Sequence, residues 1–444
     1  MGGEVRGVGR TSTGKRRGRV ARVCALLALA VPGLVACTPA PAPAPAPTAS
    51  SPTTSDAPSP TPQPDLPSDV DPSRPRLPGT ILRWADGSEV DGTALDTGTA
   101  RRASPGALTV LREIKAEKGR SLNILDVGAD GAVLVSERRE PEYRDDGSVV
   151  PGSVVPAVVR VVDGQRDRVL ASRAEHPEDV YLGRLAVDGS AVWFGTEIRE
   201  SSTVENVHVY RAPAGSARGV EIDVPGDVAG VFDDGVVLGD GSFLSWDGTT
   251  QDLKLPAIST GSILPVVCER DECPRVLTEV DESDGLPSVD VPVMSSTRTV
   301  VSYLEDGAVT PALRIEGGGW VLAAYESWLV VAVYGVDFSS HVWLVDTENR
   351  RARRLVDVSG VALAGSRVVW GASSSWSADV GTEHRGLGDL HVLDLATGDL
   401  VRIVVGEDVV WPMAEGGVIA WARSNTDGSV SRTGVVARLA TDLS

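Results

Sequence analysis

Residues 361–405 read VALAGSRVVWGASSSWSADVGTEHRGLGDLHVLDLATGDLVRIVV, and this stretch decides the fold. It opens with an apolar run, turns at Gly365-Ser366, continues as a second apolar run to Trp370, and resumes around Val392 after a long polar loop. A Thr397-Gly398 turn leads into a last run, Leu400 to Val405. Val, Ile and Trp between glycine-containing turns specify strands, because β-branched and aromatic side chains suit a pleated surface and glycine supplies the positive φ of a tight turn. The unit is four antiparallel strands.

Its first half recurs. Asp130-Gly131 precedes AVLVSE, Asp188-Gly189 precedes SAVWFGT, Asp234-Gly235 precedes VVLG, Glu326-Ser327 precedes WLVVAVY, and Gly416-Gly417 precedes VIAWA. In the double-length gap between Gly235 and Glu326, Cys268-Glu-Arg-Asp-Glu-Cys273 fits a further turn between ILPVV and PRVLTEV. The seven turns lie about 48 residues apart, the period of a four-stranded propeller blade. The second half recurs as His391 to Gly398, Trp343 to Asn349 and Val436 to Asp442, and near the N-terminus as Ala94 to Gly98.

The expected fold is an all-β propeller of four-stranded blades over residues 79–444, with seven blades favoured and six or eight the alternatives. The last repeat stops after its third strand, so an N-terminal strand, Thr80 to Trp84 or one near Ala94 to Arg102, is expected to complete it and leave no free edge. Leu108 to Lys118, LTVLREIKAEK, reads either as a turn or two of helix or as a strand. With turns and strands in this order, residues 80–444 resemble the bacterial β-propeller families, particularly TolB-like and quinoprotein-like propellers. The resemblance implies architecture alone, since their individual motifs are missing or degenerate: Trp246-Asp247 is similar to a WD repeat but lacks its Gly-His partner.

The N-terminus combines Lys15, Arg16, Arg17, Arg19 and Arg22 with an apolar run, Val23 to Val35, too short to span a bilayer, and so reads as an export signal over residues 1–36. It ends Leu34-Val35-Ala36-Cys37, which resembles a bacterial lipobox. That resemblance implies acylation of Cys37, a chain held to the cell membrane by lipid, and a folded domain on the extracytoplasmic side; ordinary secretory cleavage nearby and an uncleaved anchor are the competing readings. Between Thr38 and Pro78 lie 14 prolines, a composition that forms no core and serves as an extended spacer. At roughly 3.1 Å per residue it would span up to about 120 Å.

Charge narrows the partners. The net charge is −19; the first 36 residues hold seven basic side chains and one acidic, so a chain beginning at Cys37 carries 35 basic against 60 acidic groups, net −25. Nucleic acid is therefore not an expected partner, because binding it rests on neutralising phosphates.

In an antiparallel four-stranded blade the turns between strands 1 and 2 and between 3 and 4 emerge on one end of the ring, and the 2–3 loops and blade connections on the other. The long segments, roughly Arg138 to Pro156, Arg199 to Glu205, Asp281 to Ser288, Gly335 to Ser340, Ala372 to Gly388 and Arg423 to Thr433, all belong to the second set. Long loops on a rigid scaffold are where binding function gathers. Arg138, Arg139, Tyr143, Trp376, Asp379, Glu383, His384, Arg385, Arg423 and Asp427 are the candidate ligand-binding residues: an arginine, aromatic and carboxylate mixture suited to an envelope glycan, a peptide or a protein partner. The alternative is solvated insertions, tolerated because loop length costs little.

Cys268 and Cys273, flanking one turn of an exported domain, read as a disulfide. His208 and His391 fall at matching places in third strands, where another repeat has Trp343, and read as a packing slot for flat side chains. Trp193, Trp370 and Trp421 on second strands read as core. Asp281-Glu-Ser-Asp-Gly285 lacks the alternating ligand spacing of a calcium loop, and no Gly-x-Ser-x-Gly or His-Glu-x-x-His motif occurs, so no metal, cofactor or catalytic residue is assigned. The expected function is a membrane-anchored, non-catalytic binding or scaffolding module. The alternative is an extracellular glycan-active hydrolase or lyase drawing its carboxylates from Asp379, Glu383 and Asp427, marked by two carboxyl groups close together in a central pocket.

Overall fold

Runs of Val, Leu, Ile and Trp between tight turns form strands throughout the described chain, a computed structural model covering residues 81–139, 142, 144, 150, 153, 155–164, 166–170, 178–197, 207–253, 261–267, 274–281, 298–316, 318–334, 340–356, 358–372, 388–406, 409–423 and 432–443. Among these residues the strands form seven sheets. Blade 1 is Ser121–Val127, Val133–Arg138, Val158–Asp163 and Arg166–Leu170; blade 2 is Glu178–Leu185, Ala191–Glu197, Val207–Ala212 and Val220–Ile222. Blade 3 is the short one, Val228–Val231, Gly235–Leu238, Ser242–Ser245 and Thr250–Asp252. Blade 4 comprises Gly261–Pro265, Arg275–Asp281, Arg298–Glu305 and Ala308–Glu316, and blade 5 Gly319–Tyr325, Trp328–Tyr334, Ser340–Asp346 and Arg351–Leu355. Blade 6 is Val358–Ala364, Arg367–Ala372, Asp389–Asp394 and Leu400–Val404; blade 7 takes Val409–Glu415, Val418–Arg423 and Thr433–Leu439 from the C-terminus and Leu108–Lys115 from the other end of the chain. The all-β, seven-bladed propeller closed by an N-terminal strand is thus the fold; six of the seven expected turns are seen to join a first strand to a second, and the seventh, at Cys268 to Cys273, lies between such strands but outside the described residues.

First strands are innermost and meet the first strands of neighbouring blades. In blades 1, 2, 3, 5, 6 and 7 the pairing of first with second strand slips register, as between Ile124 and Asp126 or between Val410 and Met413. Such irregularities bend a strand and raise its twist, which lets the inner strands curve round the axis.

The buried apolar side chains fall into seven clusters, one per seam between blades. Leu125, Leu134 and Val159 of blade 1 meet Val180, Trp193 and Tyr210 of blade 2; Leu344 and Leu355 of blade 5 meet Val368 and Trp370 of blade 6. Trp193, Trp370 and Trp421 are each fully buried in such seams, as expected of core. The seam between blades 2 and 3 is the thinnest: its buried members Val236, Leu238 and Leu244 come from blade 3 alone. Arginines supplement it. Arg184 of blade 2 lies 3.0 Å from Asp233 and donates to Val231 O at 3.3 Å, and Arg211 lies over the Trp246 ring at 5.7 Å.

Closure departs from expectation in one respect. The closing strand is Leu108–Lys115, antiparallel to Thr433–Leu439, so the LTVLREIKAEK segment is a strand. The segments expected to close the ring are instead added to the outer edges of other blades: Ile81–Trp84 pairs antiparallel with blade 4, Thr93–Ala94 parallel with blade 5, and Arg101–Arg102 parallel with blade 6. Residues 81–107 form a strap round the rim, and its apolar side chains enter the seams. Leu82, Trp84 and Val90 enter between blades 4 and 5, Leu95 between 5 and 6, and Ala107 between 6 and 7. Gly92 is needed for the fit, because a Cβ there would lie 2.6 Å from Cζ3 of the Trp343 ring.

Candidate functional site

Connections 139–157, 198–206, 282–297, 335–339, 373–388 and 424–432 run from second to third strands, to one face of the ring, where blade 3 has only 239–241; the expectation that the opposite face has tight turns alone is corrected by 266–274 in blade 4 and 213–219 in blade 2, both longer than 335–339. Arg138 and Arg423 end the second strands of the adjacent blades 1 and 7 and so reach the first of these faces together. Both are engaged in ion pairs. Arg138 Nη1 lies 3.3 Å from Asp179 Oδ2 on blade 2, and Arg423 Nη2 lies 2.8 Å from Glu113 Oε1 on the closing strand. Arg139 is exposed just beyond its strand. Tyr143, Trp376, Asp379, Glu383, His384, Arg385 and Asp427 lie outside the described residues, as do Cys37, Cys268 and Cys273.

Beside these ends sits a polar joint that sequence reading missed. Glu137, fully buried, accepts from the Glu117 N–H at 2.9 Å and forms an ion pair with Arg160, which also pairs with Asp167 and donates to Lys115 O at 3.2 Å. Arg120 donates to Glu137 O and Pro156 O at 3.3 and 3.1 Å. The joint fixes the passage from the closing strand into blade 1.

Blade 2 presents a second polar row. Tyr210 Oη donates to the buried Glu178 Oε1 at 2.9 Å, and His208 places Nδ1 2.8 Å from Glu221 Oε1 and Nε2 4.0 Å from Glu178 Oε1. Glu178 passes over Gly195, where a Cβ would lie 2.4 Å from Oε2. The expected match of His208 with His391 is corrected here: the residue opposite Trp193, stacked on it at 5.4 Å, is Tyr210, while His208 lies opposite Gly195. Glu178 and Tyr210 are 3% and 2% exposed, so this row is an internal one that braces the blade.

In blade 6 the residue opposite Trp370 is His391, stacked on it at 5.3 Å and 3% exposed. Burial, with the nearby Arg402 guanidinium adding to it, pushes the imidazole down to about 4. The unfolded chain takes up this proton below about 6.5 while the folded chain does not, so stability falls as pH drops from about 6.5 to about 4, by up to about 3 kcal/mol. His391→Phe keeps a flat ring on Trp370 and is expected to remove that component from the pH dependence of urea unfolding.

On the opposite face, the ends of first strands bring Asp126 of blade 1, Arg184 of blade 2 and Glu415 of blade 7 within electrostatic reach of one another, with Asp233 of blade 3 on Arg184. Asp126 ties blades 1 and 2, accepting the Leu185 N–H at 2.7 Å. Burial pushes its carboxyl up to about 6, and burial, reinforced by Asp233, raises Glu415. Sequence reading passed over both carboxylates, which are far apart along the chain and unmarked by any motif. Among the described residues no grouping of three or more His, Cys, Asp or Glu is placed to hold a metal ion, and no helix is long and apolar enough to cross a membrane.

A scan against protein-family models finds no match, and a search of curated proteins finds none. Solved structures that superpose on the chain include a puromycin-hydrolyzing peptidase of Mycobacterium tuberculosis, at 18% identity and TM-score 0.42 over 79% of this chain and 55% of that one. Others are an α-L-arabinofuranosidase of Fusarium graminearum (10%, 0.35, 77% and 97%) and the Dos1 propeller (10%, 0.39, 76% and 96%). The chain spans about half the length of the peptidase, and no statement about activity follows from likeness at this level.

Proposed function

We propose that the protein is a lipid-anchored propeller of the cell membrane, held on the extracytoplasmic side by Cys37 and a proline-rich tether, which works as a non-catalytic binding or scaffolding module for an envelope glycan, peptide or protein partner. The observation that carries this reading is that the longest connections between strands of one blade, 139–157, 282–297 and 373–388, all run from second to third strands and so leave one face of a closed ring. A closed ring has no long free edge to manage and holds such loops at fixed spacing. The lipobox-like LVAC and the tether support the placement. Cys37→Ser is expected to move the protein from the membrane fraction to the soluble extracytoplasmic fraction and to abolish incorporation of labelled fatty acid. Full retention at the membrane by Cys37→Ser would remove the anchor from this account.

A second reading, a glycan-active hydrolase or lyase, is favoured by one observation: Asp126 and Glu415, both raised by burial, lie at the ends of the first strands of adjacent blades. Under it, Asp126→Asn and Glu415→Gln each remove turnover of envelope glycan while the fold survives; under the binding reading the protein turns over none.

A further inference from the structure

The strap meets the ring in series. Coming from residue 80 the chain first reaches blade 4, where Ile81 lies opposite Glu316 and Trp84 opposite Leu313. Arg83 fastens this step, with Nε 2.8 Å from Glu316 Oε1, Nη1 donating to Gly87 O at 3.1 Å, and Nη2 3.6 Å from Glu89 Oε1. The hairpin that follows is gripped by blade 5: Arg350 donates to Asp86 Oδ2 and Ser88 Oγ, each at 2.8 Å, and lies 5.0 Å over the Trp84 ring. Next comes Thr93–Ala94 with the Leu95 N–H donating to Arg354 O at 2.8 Å. Then comes Arg101–Arg102, with Arg101 donating to Leu443 O at 3.2 Å. Only after these does the chain enter the closing strand.

The covering is one-sided. Strap side chains enter the seams 4/5, 5/6 and 6/7, while the clusters of the seams 1/2, 2/3 and 3/4 contain none. Ring closure itself needs Leu108–Lys115 alone, so the strap is additional to it.

We propose that residues 81–107 are a clasp that takes the load of the membrane tether and keeps it off the ring-closing strand; the source of that load rests on the tethered attachment proposed above. Tension applied at residue 80 parts Ile81–Trp84 from blade 4 before it loads Thr93–Ala94, and parts that pairing before Arg101–Arg102. Each step releases chain and relaxes the tension while the ring stays closed. When tension falls, Trp84, Val90 and Leu95 return to their seams, because exposed apolar side chains drive their own reburial.

The test is single-molecule pulling on the whole chain, between the tether and the C-terminus. The expected trace shows three small reversible lengthenings before the ring opens, totalling less than the strap's full contour of about 97 Å, 27 residues at roughly 3.6 Å each, because the strap already spans the rim from blade 4 to blade 7. Arg83→Ala combined with Arg350→Ala lowers the force of the first step and leaves that of ring opening unchanged. A handle on a cysteine replacing the exposed Pro105, which disturbs no strap contact, abolishes the small steps and retains the ring event. One event in which strap and ring open together, or steps indifferent to Arg83 and Arg350, would overturn the clasp. These outcomes are separate from the fractionation of Cys37→Ser: loss of the anchor there removes the source of load, whereas a single opening event removes the clasp.

Discussion

A chain beginning at residue 117 is expected to lose its cooperative unfolding transition, whereas one beginning at residue 105 keeps it. The difference is Leu108–Lys115. Its pairs run from Lys115 opposite Thr433 to Leu108 opposite Leu439, and without them the third strand of blade 7 becomes a bare edge. Bare, largely apolar edges recruit other chains, so the shorter chain is expected to aggregate. Ile114, 4% exposed, also leaves the seam it shares with Val418, Ala420 and Val436, a loss of about 2–5 kcal/mol by comparison with truncation of a buried isoleucine. The chain from residue 105 forfeits Leu82, Trp84, Val90 and Leu95 yet stays closed, so its transition falls in temperature without losing sharpness. Thermal unfolding followed by near-ultraviolet circular dichroism of the tryptophans distinguishes them. Indistinguishable transitions would mean that the ring is closed by other contacts.

The second large effect is expected at Glu137. Its carboxylate is fully buried, and it satisfies the Glu117 N–H while pairing with Arg160, whose side chain is 12% exposed. Glu137→Ala strips a buried cation of one of its two carboxylates and orphans a backbone donor, which is expected to cost about 3–5 kcal/mol. Glu137→Gln retains an acceptor for Glu117 and is expected to cost less. Urea titration reads both. Because Glu117 follows directly on the closing strand, the loss should appear as easier opening between blades 7 and 1, detectable as faster amide exchange in Leu108–Lys115 than in blade 5. Equal costs for the alanine and glutamine variants would mean that the acceptor for the Glu117 N–H contributes little and that the ion pair lost in both carries the effect.

The blades were legible because each turn sits before an apolar strand buried on both faces: the second strands of blades 1 and 7 are buried along almost their whole length. The closing strand was ambiguous for a physical reason. As an outer strand it buries Ile114 alone among its eight residues, so LTVLREIK carries no alternation to separate helix from strand. Thr93–Ala94 and Arg101–Arg102 are two-residue pairings and leave no periodicity at all. Flat side chains opposite Trp193 and Trp370 were foreseeable as a type, but their register was not, since Tyr210 and His208 both fit the slot until the pairing with Gly195 is known. The carboxylates Asp126 and Glu415 become neighbours only through ring closure, which joins the first blade to the last. That the longest connections, 139–157, 282–297 and 373–388, leave one face, by contrast, followed from strand order alone.

The central claim is that this face binds a component of the cell envelope. Its most direct test is binding of purified protein to fragments of its own envelope, beside a variant in which residues 372–388 are replaced by a short Gly-Ser turn. Binding by the intact protein that the variant loses, with an unchanged unfolding transition, is the expected result. Equal binding by both proteins would contradict it and move the working surface to the blade edges or the tether.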